Sequence, residues 1–155
     1  MVSRKNIKSN ALISVYDKSA LKKICVAFKK YNIGIISTGG TAKKITSLGF
    51  KCEEVSNLTK FKEILDGRVK TLHPKIFGGI LGDPKKLKHK SDMQRYNLKK
   101  FDLVVVNLYP FEKIITKTNN IDTCIENIDV GGPSMIRAAA KNYSSTAVIV
   151  DIQDY

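Results

Sequence analysis

The sequence contains no tryptophan and only three cysteines, and its basic residues outnumber its acidic ones by 27 to 14. Each of these features excludes something. Cys25, Cys52 and Cys124 are odd in number, far apart and without a CxxC pair. That spacing offers neither a zinc site nor a disulfide framework, and each reads as a small core residue. No apolar run approaches the roughly 18 residues of a membrane span. The first ten residues, MVSRKNIKSN, are basic and polar and lack the apolar stretch of a secretory signal. They are expected to form a flexible tail on a cytoplasmic protein with no membrane partner. Neither a GxxxxGK loop nor a GxGxxG fingerprint is present, and there are no internal repeats. The net charge of +13 favours anionic partners. Part of that excess sits in solvated stretches such as KKLKHK (85–90) and NLKK (97–100). There is no RNP-like aromatic strand, helix-turn-helix signal or Arg-rich repeat, so nucleic acid is not the expected partner.

What is present reads as one α/β domain with a mainly parallel sheet. ALISVY (11–16), IGIIS (33–37), KCEEV (51–55), FDLVVVN (101–107) and STAVIVD (145–151) have the composition of strands. Between the first two, Leu21, Ile24, Cys25, Phe28 and Tyr31 recur at helical spacing, and Asp17 or Ser19 can cap that helix. TGGT (38–41) reads as a turn opening a second helix. KFKEIL (60–65) reads as one or two helical turns, 84–100 as an exposed helix or loop, and IDTCIENI (121–128) as helical. PSMIRAAAKN (133–142) is a helix with Pro133 in its first turn. The strand that closes the chain is followed by no capping helix, so the domain is expected to be cut from a longer protein.

In open α/β sheets, ligands bind beyond the carboxyl ends of the strands. Four polar clusters fall there: Ser14 to Lys18, Ser37 to Thr41, Asn107 to Tyr109, and Asp129 to Gly132. STGGT (37–41) supplies hydroxyls, glycines and a helix start, which suits a phosphate equally well as an ordinary Gly-Gly turn. Ser134, Arg137 and Lys141 share one face of the last helix. By itself Lys141 reads as a solvated lysine at a helix C-terminus, Asp129 as a loop or capping residue, and His73 as a loop histidine. GRVKTLHPKIFGGIL (67–81) crowds Arg68, Lys70, Thr71 and His73 between glycines, too polar for a core strand.

Taken in order, SVYDK (14–18), STGGT (37–41), GRVKTLHPKIFGGIL, NLYPF (107–111) and NIDVGGPSMIRAAAKN (127–142) resemble the N-terminal domain of the bifunctional purine-biosynthesis family, aminoimidazole carboxamide ribotide transformylase/IMP cyclohydrolase. The resemblance runs from about residue 11 to the end. It implies a three-layer, methylglyoxal-synthase-like fold over residues 11–155, shortened at its C-terminal end and without the transformylase domain. The implied activity is cofactor-free closure of formamidoimidazole carboxamide ribotide to IMP with loss of water. 10-Formyltetrahydrofolate would serve only the missing domain, and the full-length protein would be a homodimer. The resemblance further implies that Lys70 and Thr71 face the formyl oxygen with Arg68 beside them. Asp129 with Lys141 would form a proton-transfer dyad, and Tyr109 would be an acid or orienting hydroxyl. Ser14, Lys18, Thr38, Gly39, Gly40 and Thr41 would hold phosphate and ribose, and Asn107, Gly131 and Gly132 the base. Arg137 is grouped with the substrate contacts. Two relatives of the same fold are the rivals: methylglyoxal synthase, and the nucleotide-sensing domain of carbamoyl phosphate synthetase, which needs phosphate contacts but no proton-transfer dyad.

Overall fold

Strand β1 (Asn10–Val15) is buried over almost its whole length, with Ala11, Leu12 and Ile13 fully inaccessible. A strand apolar on both faces must be covered on both, which is the usual situation of parallel sheets. In the computed structural model, which describes residues 9–155, β1 is the centre of a five-stranded sheet of order β3-β2-β1-β4-β5. The other strands are β2 (Gly34–Ser37), β3 (Glu53–Glu54), β4 (Leu103–Asn107) and β5 (Ala147–Ile149), and every pairing is parallel. The helices are α1 (Leu21–Lys30), α2 (Gly39–Ser47), α3 (Val55–Thr59), α4 (Pro74–Leu81), α5 (Leu87–Arg95), α6 (Phe111–Ile115), α7 (Ile121–Glu126) and α8 (Gly131–Lys141).

Alternation along the strands divides the core in two. Leu12, Ile36, Val104 and Val106 face Ile76 and Ile80 of α4 and Met135, Ala138 and Ala139 of α8. Ile13, Val15, Ile35 and Val105 face Leu21, Ile24, Cys25 and Phe28 of α1 and Ile45 of α2. The result is the three-layer arrangement expected from the sequence. The chain winds outward from β1 to β3 and then returns to the other side at β4. The strand order therefore reverses between β1 and β4, which opens a crevice at their carboxyl ends.

Several boundaries differ from the sequence reading. Neither Asp17 nor Ser19 caps α1: the helix starts after Ala20 without a side-chain cap, and Asp17 Oδ1 accepts from Ser19 N at 2.8 Å. Tyr31 leaves the apolar stripe and is exposed. The α2 helix begins inside TGGT, at Gly39. Strand β3 shrinks to two residues and β5 to three.

The largest difference is at 60–65, which is not helical. Lys60 adopts a left-handed conformation that ends α3, and Ile64 pairs with Val69 across a tight loop. Every residue from Lys60 to Arg68 except Gly67 is exposed. A short helix there would have no buried stripe to hold it, and short isolated helices are marginal.

PKIFGGIL, by contrast, is helix α4, capped by His73, whose Nδ1 accepts from Lys75 N at 3.1 Å. Its two glycines let it approach the chain before β4. A Cβ on Gly79 would collide with the Lys99 carbonyl and lie 2.7 Å from the Phe101 ring, and one on Gly78 would lie 2.7 Å from Leu98. The second half of GRVKTLHPKIFGGIL is therefore a packing element and a cap. Only its first half is available for chemistry.

Candidate functional site

The crevice at the carboxyl ends of β1 and β4 opens into a cavity of about 670 Å³. Its walls come from all four polar clusters. Ser14, Tyr16 and Lys18 follow β1, Thr38, Gly40 and Thr41 open α2, Asn107 and Tyr109 follow β4, and Asp129 to Gly132 lead into α8. The tight loop of 64–69 adds Asp66, Gly67 and Arg68, with Lys70 and Thr71 just after it. Leu65, Asp66 and Gly67 are left-handed in succession. For the two non-glycine residues this costs free energy, the kind of local strain found at ligand sites.

The hydrogen bonds sort these residues by what they can still do. Thr41 is committed: its Oγ1 donates to Val15 O at 3.0 Å and accepts from Val15 N at 3.3 Å, tying α2 to β1. Asn107 is also committed, through three bonds to Asp17 and Tyr155. Arg68 is ion-paired with Glu126 of α7, which raises the guanidinium's proton affinity and holds the carboxyl below its ordinary range. Lys18 Nζ donates to Tyr16 O at 2.9 Å, which leaves two of its protons for a ligand. Thr71 is 4% exposed, yet its hydroxyl has no partner among the described residues. Ser14, Thr38, Lys70 and Tyr109 likewise present side-chain polar groups with no partner among those residues. Asp129 uses Oδ1 to accept from Gly132 N at 2.8 Å, at the start of α8, and keeps Oδ2 available.

Two helix starts converge on the cavity. The first turns of α2 and α8 carry N–H groups with no intrahelical acceptor, which favours an anion at either. The glycines keep these turns accessible. A Cβ on Gly132 would lie 2.5 Å from Asp129 Oδ2, and one on Gly131 would lie 2.8 Å from Thr71 Oγ1.

Three residues from the sequence reading fall outside the cavity: Gly39, Arg137 and Lys141. Gly39 is left-handed and serves to start α2. Lys141 is the clearest correction. It ends the 11-residue α8 that Asp129 precedes, and at about 1.5 Å per residue the two ends lie roughly 16 Å apart. Its neighbour Asn142 bonds to the Ile80 and Gly82 carbonyls at the opposite end of the sheet. Asp129 and Lys141 therefore form no dyad within one chain. Sharing a sequence motif put the two residues together on paper, but the helix between them sets them apart.

The sequence reading also missed wall residues. Asp66, Glu126, Ile128 and Val130 line the cavity. Asp66 and Glu126 each stand next to a recognised motif, and charge opposite Arg68 was the available signal.

Among the described residues no cluster of three or more His, Cys, Asp or Glu could hold a metal ion, and no helix is long and apolar enough to cross a membrane.

Comparison with known proteins places this geometry. Residues 20–134 match the MGS-like domain model. The chain is 49% identical over 147 residues to "Bifunctional purine biosynthesis protein PurH" of Bradyrhizobium diazoefficiens, covering 95% of this chain and 28% of that protein. It is 51% identical over 152 residues to the protein of the same name from Corynebacterium glutamicum, covering 98% and 29%. The Dictyostelium discoideum protein is 47% identical over 146 residues, covering 94% and 27%. The chain thus spans less than a third of the length of the curated relatives it matches. Among solved structures, that of ForH superposes with a TM-score of 0.82 at 29% identity, covering 95% of this chain and 74% of that one. The crevice between β1 and β4, its two helix starts and these matches agree: the chain belongs to the MGS-like domain family.

Proposed function

We propose that this chain is the cyclohydrolase part of a PurH-type protein and closes the ring of formamidoimidazole carboxamide ribotide to give IMP. Its identity to the PurH proteins supports the reading. The observation that carries it is local. Lys70 brings an ammonium and the nearly buried Thr71 a hydroxyl, neither with a side-chain partner among the described residues, to the same cavity as Asp129.

The reaction needs little more than this. The carboxamide nitrogen attacks the formyl carbon of the same molecule, so holding the two groups in register supplies much of the acceleration. The attacking nitrogen loses a proton, for which Asp129 Oδ2 is the available acceptor. The formyl oxygen gains negative charge, which Lys70 and Thr71 stabilise by donation. It takes one proton to become a carbinol hydroxyl and a second, from Lys70 or the Tyr109 hydroxyl, as it leaves as water. The former formamide nitrogen gives up its proton in that step, and the ring C=N bond forms. The phosphate is seated by Ser14, Lys18, Thr38 and the first N–H groups of α2. Gly131 and Gly132 let the base approach α8. Carbon and nitrogen keep their oxidation states, so the step calls for no folate, nucleotide triphosphate or redox cofactor.

In this reading the anionic partner behind the +13 charge is a nucleotide. The full-length protein is a cytoplasmic homodimer whose transformylase domain uses 10-formyltetrahydrofolate. The distance between Asp129 and Lys141 favours one second reading, a nucleotide-sensing domain that binds IMP without turnover.

The test is an ultraviolet assay of ring closure with the purified chain and its substrate, without folate or metal. Turnover supports the enzyme. IMP binding without turnover supports the sensor. Neither would overturn both.

A further inference from the structure

Tyr155 belongs to no motif described above, yet it bonds to Asn107, a residue of the cavity wall. It follows the 3-10 turn Ile152–Asp154 and packs against the core layer that contains Ile13, Val15 and Val105. Its hydroxyl accepts from Asn107 Nδ2 at 3.3 Å. The other Asn107 bonds both go to one residue: Nδ2 donates to Asp17 O at 3.0 Å and Oδ1 accepts from Asp17 N at 2.8 Å. A carboxamide has two N–H donors, and both are now used. Asn107 therefore has no proton to offer a base. It works instead as a bracket for the chain after β1, where Tyr16 N also donates to the Asn107 carbonyl at 3.4 Å. That chain carries Lys18 to the cavity. Burial also raises the phenol's pKa, so the hydroxyl stays protonated.

We infer that Tyr155 is a positioning residue: its hydroxyl fixes the Asn107 carboxamide, which fixes Asp17 and so presents Lys18 to the anionic group of the ligand. A carboxamide rotated by half a turn would set its NH₂ against Asp17 N and lose both backbone bonds, so Asp17 selects the orientation and the tyrosine hydroxyl anchors the group in it. The nature of the ligand rests on the function proposed above, but the bracket does not.

Tyr155→Phe removes only the oxygen and keeps the ring in its packing site. One neutral hydrogen bond corresponds to a loss of about threefold to tenfold. Exchange of the Asp17 amide hydrogen, followed by NMR, should quicken by that factor while the Val105 amide is unchanged. The IMP dissociation constant, measured by calorimetry, should rise by a similar factor. Asn107→Ala should weaken IMP at least as much, and the double variant no more than Asn107→Ala alone. Unchanged Asp17 exchange overturns the bracket. Faster exchange with unchanged IMP affinity overturns its role in the pocket, as does simple multiplication of the two losses. If the wild-type chain does not bind IMP, the proposed function falls, while Asp17 exchange still decides the case of Tyr155.

Discussion

Lys100 and Lys70 stand at opposite ends of one parallel sheet, and their surroundings differ completely. Lys100, before β4, is half-buried and donates to the Phe101 carbonyl, the Ser145 carbonyl and Thr146 Oγ1 at 2.7–2.8 Å. All three of its protons are spent inside the protein. Around it Asn10 bonds to Asp102 and Lys100, Asn142 to Ile80 and Gly82, and Thr146 to Ile80 and Phe101. Lys70, at the carboxyl end, has no such side-chain partner among the described residues, and neither do Ser14, Thr38, Thr71 and Tyr109 near it. Helices α6 and α7 beside that cavity bury no residue at all. One rim is closed by its own hydrogen bonds and contributes stability. The other is left incomplete, which is what a site for an outside molecule requires.

Substitutions on each rim should separate stability from activity. The largest effect is expected at Lys70. Lys70→Ala should lower ring-closure turnover by about 10²-fold or more, with stability to urea within about 0.5 kcal/mol of the wild type. Equal losses in both quantities would make Lys70 a structural residue like Lys100. The mirror experiment is Asn142→Ala, which removes the side-chain donor from the buried Gly82 carbonyl and leaves the Ile80 carbonyl with only Thr146 Oγ1. A loss of roughly 1–3 kcal/mol in urea unfolding is expected, with IMP affinity of the folded fraction unchanged.

A smaller effect concerns the thiols. Burial pushes both Cys25 and Cys52 up to about 11. Alkylation of Cys52 at pH 8 should therefore be far slower than that of a free thiol and should climb with pH toward 11. These thiols ionise earlier in the unfolded chain than in the folded one. Their contribution to stability is thus complete below pH 9 and declines as pH rises through 9 to 11. Rapid labelling of native Cys52 at pH 8 would contradict the burial that raises its pKa.

Much of this was legible in the sequence, for physical reasons. Runs such as ALISV and LVVVN can be stable only when covered on both faces, so they read as inner strands of a parallel sheet. The polar residues just past them then fall on one rim, and 13 of the 16 residues singled out do line the cavity. The failures share a cause as well. KFKEIL has helical composition but nothing to pack against, and local propensity cannot report a missing partner. Thr41 and Asn107 looked like ligand contacts because side-chain type does not reveal whether a bond is already made inside the protein. Lys141 was linked to Asp129 by a shared motif, although α8 carries them to opposite ends of the sheet. Tyr155 had no motif around it, and only its hydroxyl's place against Asn107 gives it a role.

A second cavity, of about 540 Å³, lies at the amino end of the sheet and is lined by residues including Phe28, Ile35, Phe50, Lys51 and Lys99. It permits a direct comparison. Titration of the isotope-labelled chain with IMP, read by amide chemical shifts, should move Ser14 to Lys18, Thr38 to Thr41, Lys70, Thr71 and Asp129 to Gly132. Lys51, Cys52 and Lys99 should stay still. Shifts confined to the amino-end cavity, or none at the carboxyl rim at saturating IMP, would contradict the assignment of the incomplete rim as the nucleotide site.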